Sequence, residues 1–372
     1  MSTRSHPKTS LHVLLVCGGK SAEREVSLAS ASAILRNLDP RKYSVTAAVI
    51  GPSGRWTLPQ DPRRAGLDWD YPRGRGRRRV LAIDPARGFS FSLRGRSGGG
   101  RAPDVVFPVL HGPNGEDGTI QGMLEFAGLP YVGCGVLSSA LGMDKEYPKR
   151  LAAQEGVDVL PYAVLPSPRA LRERRGWARR VSRLGLPLFV KPARLGSSVG
   201  ISKVCRRSGL DEALRLAFRF DTKVIVEAGI DAREIEVAVL GDTVRAEASG
   251  CGEIRPRAGF YDYEAKYVDP DGAELLIPAP LDRRTARKAR AWAVRMFQAV
   301  DGYGMARVDF LVDKRSGRLY FNEVNTIPGF TTISLFPRLW GAAGLPFGKL
   351  LDRLIALALE RQKARSRVRT RL

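Results

Sequence analysis

The chain has 372 residues, 44% of them hydrophobic and 27% charged, which suits a soluble globular protein with two or three domains. No uninterrupted apolar run approaches the ~20 residues of a membrane span, and residues 1–10 are polar rather than a secretory signal, so a cytoplasmic location is expected. The formal net charge of +23, concentrated in arginine runs at 73–79, 94–101 and 169–183, raises the question of a polyanionic partner, either a nucleotide or a nucleic acid. Most of the excess reads instead as solvated arginine.

Strand and helix patterns alternate through the first third. Residues 11–17 form a short apolar strand broken by Gly18 and Gly19, and 26–38 is a helix with apolar residues near helical spacing. A second strand covers 43–50, a hairpin 80–83 and 89–93, another strand 105–110, and a helix 119–127. This order predicts an α/β domain with an open, largely parallel sheet over residues 1–140, with ligands at the carboxyl ends of its strands, where Gly18-Gly19 and His111-Gly112 stand. The stretch 51–103 is rich in Arg, Gly and Pro and reads as exposed loops elaborating that domain. Beyond it, Asp144 is placed to cap a helix reaching about residue 155. Strands are expected at 186–191, 224–227, 234–240, 244–249, 306–312 and 319–323, with helices at 285–300 and 347–363. Two further units follow from this, 141–245 and 246–372.

Four cysteines, Cys17, Cys134, Cys205 and Cys251, are widely spaced without a CxxC pair, so free thiols are expected rather than a zinc site or disulfides. Gly19-Lys20-Ser21 resembles the end of a P-loop, but Leu14 stands where the first glycine is required. No GxSxG element occurs, and His6, His12 and His111 form no metal pattern.

Three groups of residues carry chemistry. Asp309 lies on a strand paired through the turn 314–317 with the strand ending in Glu323, which places Asp309, Glu323 and Asn325 side by side. Two carboxylates and an amide oxygen make a hard-oxygen site suited to magnesium held together with nucleotide phosphates, or else an ordinary solvated strand end. Lys191 closes a buried strand and is followed by the loop Gly196-Ser197-Ser198-Val199-Gly200. Its amides and hydroxyls would cradle a phosphate. Glu227 and Glu234 could accept from an adenine amino group and ribose hydroxyls, though by spacing alone a surface position is the stronger reading.

Together with further segments, these residues resemble the D-alanine–D-alanine ligases of the ATP-grasp superfamily. The matching segments are 18–27 (GGKSAEREVS), 111–118 (HGPNGEDG), 143–145, 189–192, 195–200, 260–267, 307–309 and 322–334, in order along the chain. The resemblance does not extend to 51–103 or to the basic tail.

It implies an N-terminal substrate-side domain followed by a two-lobed ATP-grasp fold, joining two D-alanines through a D-alanyl phosphate for peptidoglycan precursor synthesis. Lys145, Lys191 and Lys266 would meet the ATP phosphates, with Gly196, Ser197 and Ser198 closing over them. Glu227 and Glu234 would hold the adenosine, and Asp309, Glu323 and Asn325 two Mg2+ or Mn2+ ions. Glu23 would anchor the first D-alanine's ammonium, with His111 beside it. Ser334 and the Leu335 N–H would bind the second substrate's carboxylate. Arg307 and the Gly329 N–H would stabilise the oxyanion. Ser197 and Tyr267 would link Glu23 to the mobile loop, and Tyr267 would favour D-alanine over D-lactate. A homodimer is also implied.

Leu195, where some members carry an acidic residue, and Pro148, early in a helix, are departures that do not touch the chemistry. The alternatives are a D-alanine–D-serine or D-alanine–D-lactate ligase and, remotely, a nucleic-acid-binding protein on a grasp-like fold.

Overall fold

The structure, a computed structural model, describes residues 10–58, 79–84, 88–93, 96–97, 102–256 and 272–368. The first unit contains β1 (Leu11–Gly18), α1 (Arg24–Asn37), β2 (Tyr43–Ile50), β3 (Trp56–Thr57), the small sheet β4 (Arg79–Asp84), β5 (Gly88–Leu93) and β6 (Arg96–Ser97), then β7 (Val105–Pro108) and α2 (Thr119–Phe126). Its main sheet has the order β3-β2-β1-β7, and β1 runs parallel to both neighbours. A strand covered on both faces needs an unbroken apolar run. Val13, Leu14, Leu15, Val16 and Cys17 supply it, all fully buried. Successive residues serve opposite faces: Val13, Leu15 and Cys17 pack into one core, Leu14 and Val16 into another. The expected hairpin is present as β4 and β5.

The second unit contains α3 (Val136–Met143), α4 (Glu146–Gln154), β8 (Tyr162–Leu165), α5 (Arg174–Ser182), β9 (Leu188–Pro192), β10 (Ser202–Val204), α6 (Leu210–Ala217) and β11 (Val224–Ala228). Its antiparallel sheet has the order β10-β9-β11-β8. Asp144 stands just before α4, and its Oδ1 accepts from the Glu146 N–H at 3.1 Å. Pro148 falls in the first turn, where its missing N–H costs no helical bond.

The last unit contains β12 (Ala232–Gly241), β13 (Ala246–Pro256), β14 (Ala273–Leu276), α7 (Arg283–Ala299), β15 (Gly304–Asp313), β16 (Leu319–Asn325), α8 (Leu335–Ala342) and α9 (Phe347–Arg365). Its five strands run in the order β14-β13-β12-β15-β16, with α7 burying Trp292, Met296 and Phe297 against them. One strand differs from expectation. The segment expected from residue 244 starts at Ala246 and runs on to Pro256. Val244 is instead 81% exposed in a turn, whose Asp242 Oδ1 accepts from the Val244 and Arg245 N–H groups at 2.7 and 2.6 Å.

A shared core fixes the first unit against the last. Phe330, just beyond β16, meets Phe107 of β7 edge-on at 5.8 Å, Phe336 of α8 at 5.5 Å and Phe347 of α9 at 6.1 Å. That contact brings the carboxyl end of the parallel sheet over the end of the β15–β16 hairpin. Among the described residues no helix is long and apolar enough to cross a membrane.

Candidate active site

The two ends enclose a cleft of about 310 Å³. Its first wall is built on Glu23, immediately before α1. The Ser21 Oγ accepts from the Glu23 N–H at 3.0 Å and donates to the His111 carbonyl at 2.7 Å, which ties the loop after β1 to the loop after β7. The Glu23 carboxylate accepts from the Ser197 hydroxyl. Two glycines make this approach possible. A Cβ at Gly112, where φ is +74°, would lie 2.5 Å from Glu23 Oε2, and one at Gly196 would lie 3.1 Å from Oε1. Ser197 and Ser198 hold φ of +50° and +60°. L residues in the left-handed region cost about 1–2 kcal/mol each, and such strain is typical of loops shaped for a ligand.

His111 is buried, with Nδ1 3.1 Å from the Ile327 carbonyl and Nε2 3.5 Å from Ser30 Oγ. Burial, assisted by the Arg307 charge, lowers its pKa from 6.5 to about 4. The imidazole is therefore neutral near pH 7, its Nδ1–H donating to Ile327. A depressed folded-state value gives stability that is fully present above pH 6.5 and is lost as pH falls from 6.5 toward 4. One such group contributes a slope of about 1.4 kcal/mol per pH unit. Denaturant unfolding at pH 7 and pH 5 should show His111→Gln losing less stability on acidification than the native chain. Equal losses would contradict this assignment.

The opposite wall is the end of the β15–β16 hairpin. Asp309 pairs with Glu323, and Arg307 with Asn325. Arg307 binds Asp309 through two bonds, Nε–Oδ1 at 2.8 Å and Nη2–Oδ2 at 2.7 Å, and its Nε lies 3.0 Å from Glu236 Oε2. Burial works against the guanidinium, but Asp309 and Glu236 hold its pKa well above the ordinary value. Asn325 Nδ2 donates to Asp309 Oδ2 at 2.9 Å. The hairpin thus brings Asp309, Glu323 and Asn325 together as the strand pairing predicts. Among the described residues no three His, Cys, Asp or Glu side chains are placed to hold an ion. This donor set of two carboxylates and an amide fits a hard cation that takes the rest of its shell from phosphate oxygens and water.

The far end of the cleft is the start of α8. Ser334 precedes its first turn, and the Ser334 Oγ accepts from the Thr331 N–H at 3.0 Å. Gly329 packs so closely that a Cβ there would lie 2.7 Å from that Oγ. Leu335 and Arg338 line the same end. Helix N–H groups with a nearby guanidinium suit a carboxylate.

Lys145, Lys191, Glu227 and Glu234 do not line this cleft. Lys145 Nζ donates to the Leu195 carbonyl at 2.5 Å and stands 3.4 Å from Glu323 Oε2. A second, small pocket, lined by Lys145 and sharing Gly196, Glu323 and Asn325 with the cleft, adjoins it. Lys191 of β9 pairs with Glu227 of β11, and Lys149 of α4 reaches the other oxygen of Glu227 at 2.6 Å. Burial would raise the Glu227 pKa, but the Lys149 and Lys191 charges prevail and hold it at about 2. Glu234, half-buried on β12, lies close enough to Lys191 for its charge to support that ammonium. Lys266, Tyr267 and the whole segment 260–267 lie outside the described residues.

Four residues of the site were not singled out from the sequence. Glu236, Arg338 and Lys149 are three of them. The fourth, Glu116, accepts from the Gly112 N–H at 2.8 Å and the Ile327 N–H at 3.3 Å, and so bridges both walls. Burial and the neighbouring Glu23 carboxylate raise its pKa to about 8.

Comparison with known proteins identifies the family. Residues 12–134 match the model of the D-ala D-ala ligase N-terminus and residues 151–356 that of the D-ala D-ala ligase C-terminus. The chain belongs to the D-alanine–D-alanine ligase family. The D-alanine–D-alanine ligase A of Bradyrhizobium diazoefficiens is 46% identical over 366 residues, covering 95% of this chain and 96% of that protein. The solved D-alanine–D-alanine ligase of Coxiella burnetii superposes with a TM-score of 0.81 at 36% identity, covering 96% of this chain and 97% of its own. The VanG D-Ala:D-Ser ligase of Enterococcus faecalis gives 0.83 at 36% identity, covering 94% and 100%. The fold is thus that of the ATP-grasp D-alanine–D-alanine ligases, enzymes that use ATP and divalent metal ions.

Proposed function

We propose that the cleft joins two D-alanine molecules at the expense of ATP, as the family assignment indicates, with the following division of labour. The carrying observation is the placement of Arg307, Glu323 and Asn325 on one wall, opposite Glu23, with Asp309 bound to Arg307 and the α8 N-terminus at the end. A carboxylate has no adequate leaving group for amide formation. Transfer of the ATP γ-phosphoryl group to the first D-alanine forms an acyl phosphate and ADP, and the amine of the second D-alanine then displaces phosphate.

Glu23 holds the first ammonium beside the neutral His111. The Ser334 hydroxyl and the Leu335 N–H hold the second carboxylate. Arg307 and the Gly329 N–H stabilise the oxyanion of the tetrahedral intermediate. Lys145, Lys191 and Lys266 meet the ATP phosphates under Gly196, Ser197 and Ser198, and Glu227 and Glu234 hold the adenosine. Ser197 and Tyr267 connect Glu23 to the segment carrying Lys266. Asp309, Glu323 and Asn325 would hold the divalent metal, as two Mg2+ or Mn2+ ions, which would supply neutralisation of phosphate charge.

The same reading includes a cytoplasmic homodimer and a three-part division with boundaries near residues 140 and 230, the second moved from the expected 245 because β12 pairs with β13 and β15. The described sheets change between Ala228, the end of β11, and Ala232, the start of β12.

The test is phosphate release by purified protein with ATP, magnesium and D-alanine, with products identified by mass. Turnover yielding D-alanyl-D-alanine is expected, with L-alanine inert. Chelation with EDTA should abolish turnover and Mg2+ or Mn2+ restore it. Turnover that survives exhaustive chelation, or needs another acceptor, would overturn the reading.

A further inference from the structure

Lys149 is a fully buried lysine with no part in the chemistry above. Its side chain is 2% exposed, its Nζ lies 2.6 Å from Glu227 Oε1, and it donates to the Asn322 carbonyl at 3.0 Å. These partners belong to different sheets. Glu227 is on β11 of the central sheet, while Asn322 is on β16, next to Glu323. Lys149 on α4 therefore joins the strand proposed to face adenosine to the strand proposed to face metal and phosphate.

The other Glu227 oxygen is held by Lys191, and this creates a conflict. A lysine drawn to phosphate can no longer fully neutralise a buried carboxylate, and an unpaired buried charge is strongly unfavourable. Lys149 resolves the conflict because it stays behind the carboxylate, away from the cleft.

We propose that Lys149 is a positioning residue for the nucleotide: it remains as the counter-ion of Glu227 when Lys191 turns to phosphate, and it fixes Glu227 relative to the metal-facing strand. The proposal rests on the reading that Lys191 meets the nucleotide phosphates.

The experiment is calorimetric titration of the full chain with magnesium–ADP in a double-mutant cycle of Lys149→Met and Glu227→Gln, with melting temperatures recorded. Lys149→Met is expected to weaken magnesium–ADP by about thirtyfold or more in the native background, as breaking a buried pair should. In the Glu227→Gln background, where removing Lys149 leaves no buried carboxylate unpaired, the same change should cost no more than about threefold. KM for D-alanine should stay within about twofold, since Lys149 does not line that cleft. An equal penalty in both backgrounds, or no penalty in the native one, overturns the proposal, as does a parallel rise in the D-alanine constants. Should Lys149→Met not fold, Lys149→Gln is read by the same thresholds. It removes the charge but keeps a donor for the Asn322 carbonyl. Native protein that binds magnesium–ADP but makes no dipeptide overturns the assigned function alone. Native protein that binds no nucleotide overturns both.

Discussion

Arg307→Met is expected to lower kcat by on the order of 10³, the effect of removing a preorganised oxyanion stabiliser from a closed site. Arg307 is held by a fork on Asp309 and a contact to Glu236, so its charge sits ready at the cleft and need not reorganise as the oxyanion forms. Lysine should recover little of the loss, because an ammonium cannot reproduce the two parallel bonds to Asp309. Stability must be separated from catalysis here. Glu236 and Asp309 face each other across β12 and β15, and removing Arg307 leaves their charges opposed, at a cost of about 3–5 kcal/mol. The pair Arg307→Met/Glu236→Gln deletes one of those charges and should regain most of the melting temperature without regaining kcat. A double variant that turns over within tenfold of native would remove Arg307 from the chemistry.

The site was legible where local rules act. The β15–β16 hairpin could be read from its turn and alternation, and register then places Asp309 beside Glu323. Gly112 and Gly196 belong to recognisable segments, although what they accommodate, the Glu23 carboxylate, comes from a third. The residues that escaped depend on long-range partners. Lys149, early in a helix, reads as a solvated residue; only the fold reveals that β11 and β16 both converge on it. Glu236 shares a strand face with Glu234, and the apolar residues between and around them suggested nothing about Arg307, which arrives from the neighbouring strand. Val244 failed for the opposite reason. Its β-branched side chain favours a strand, but Asp242 offered the backbone a competing turn. The short helix α3 has buried serines and too few turns for periodicity to show.

The site divides into an acyl cleft and a nucleotide cluster, and Glu23 should belong to the first alone. The residue is 8% exposed, and its carboxylate packs against Gly112 and Gly196 and is bound by the Ser197 hydroxyl. Glu23→Gln preserves this shape and removes only the charge. A hydrogen bond to a charged group in such surroundings is worth about 1.5–3 kcal/mol, so KM for the first D-alanine is expected to rise by roughly tenfold to 150-fold. The constant for ATP should stay within about threefold, because Lys145 and Lys191 are held by other partners. Ser197→Ala should give a smaller rise in the same constant. It keeps the carboxylate but loses one of the bonds that orient it, a change of about 1 kcal/mol. Initial rates at saturating ATP, with D-alanine varied over both saturation phases, separate the two amino-acid constants. If Glu23→Gln moved the ATP constant as far as the first D-alanine constant, the carboxylate would be acting on the nucleotide side, and the division of the site would have to be redrawn around Ser197.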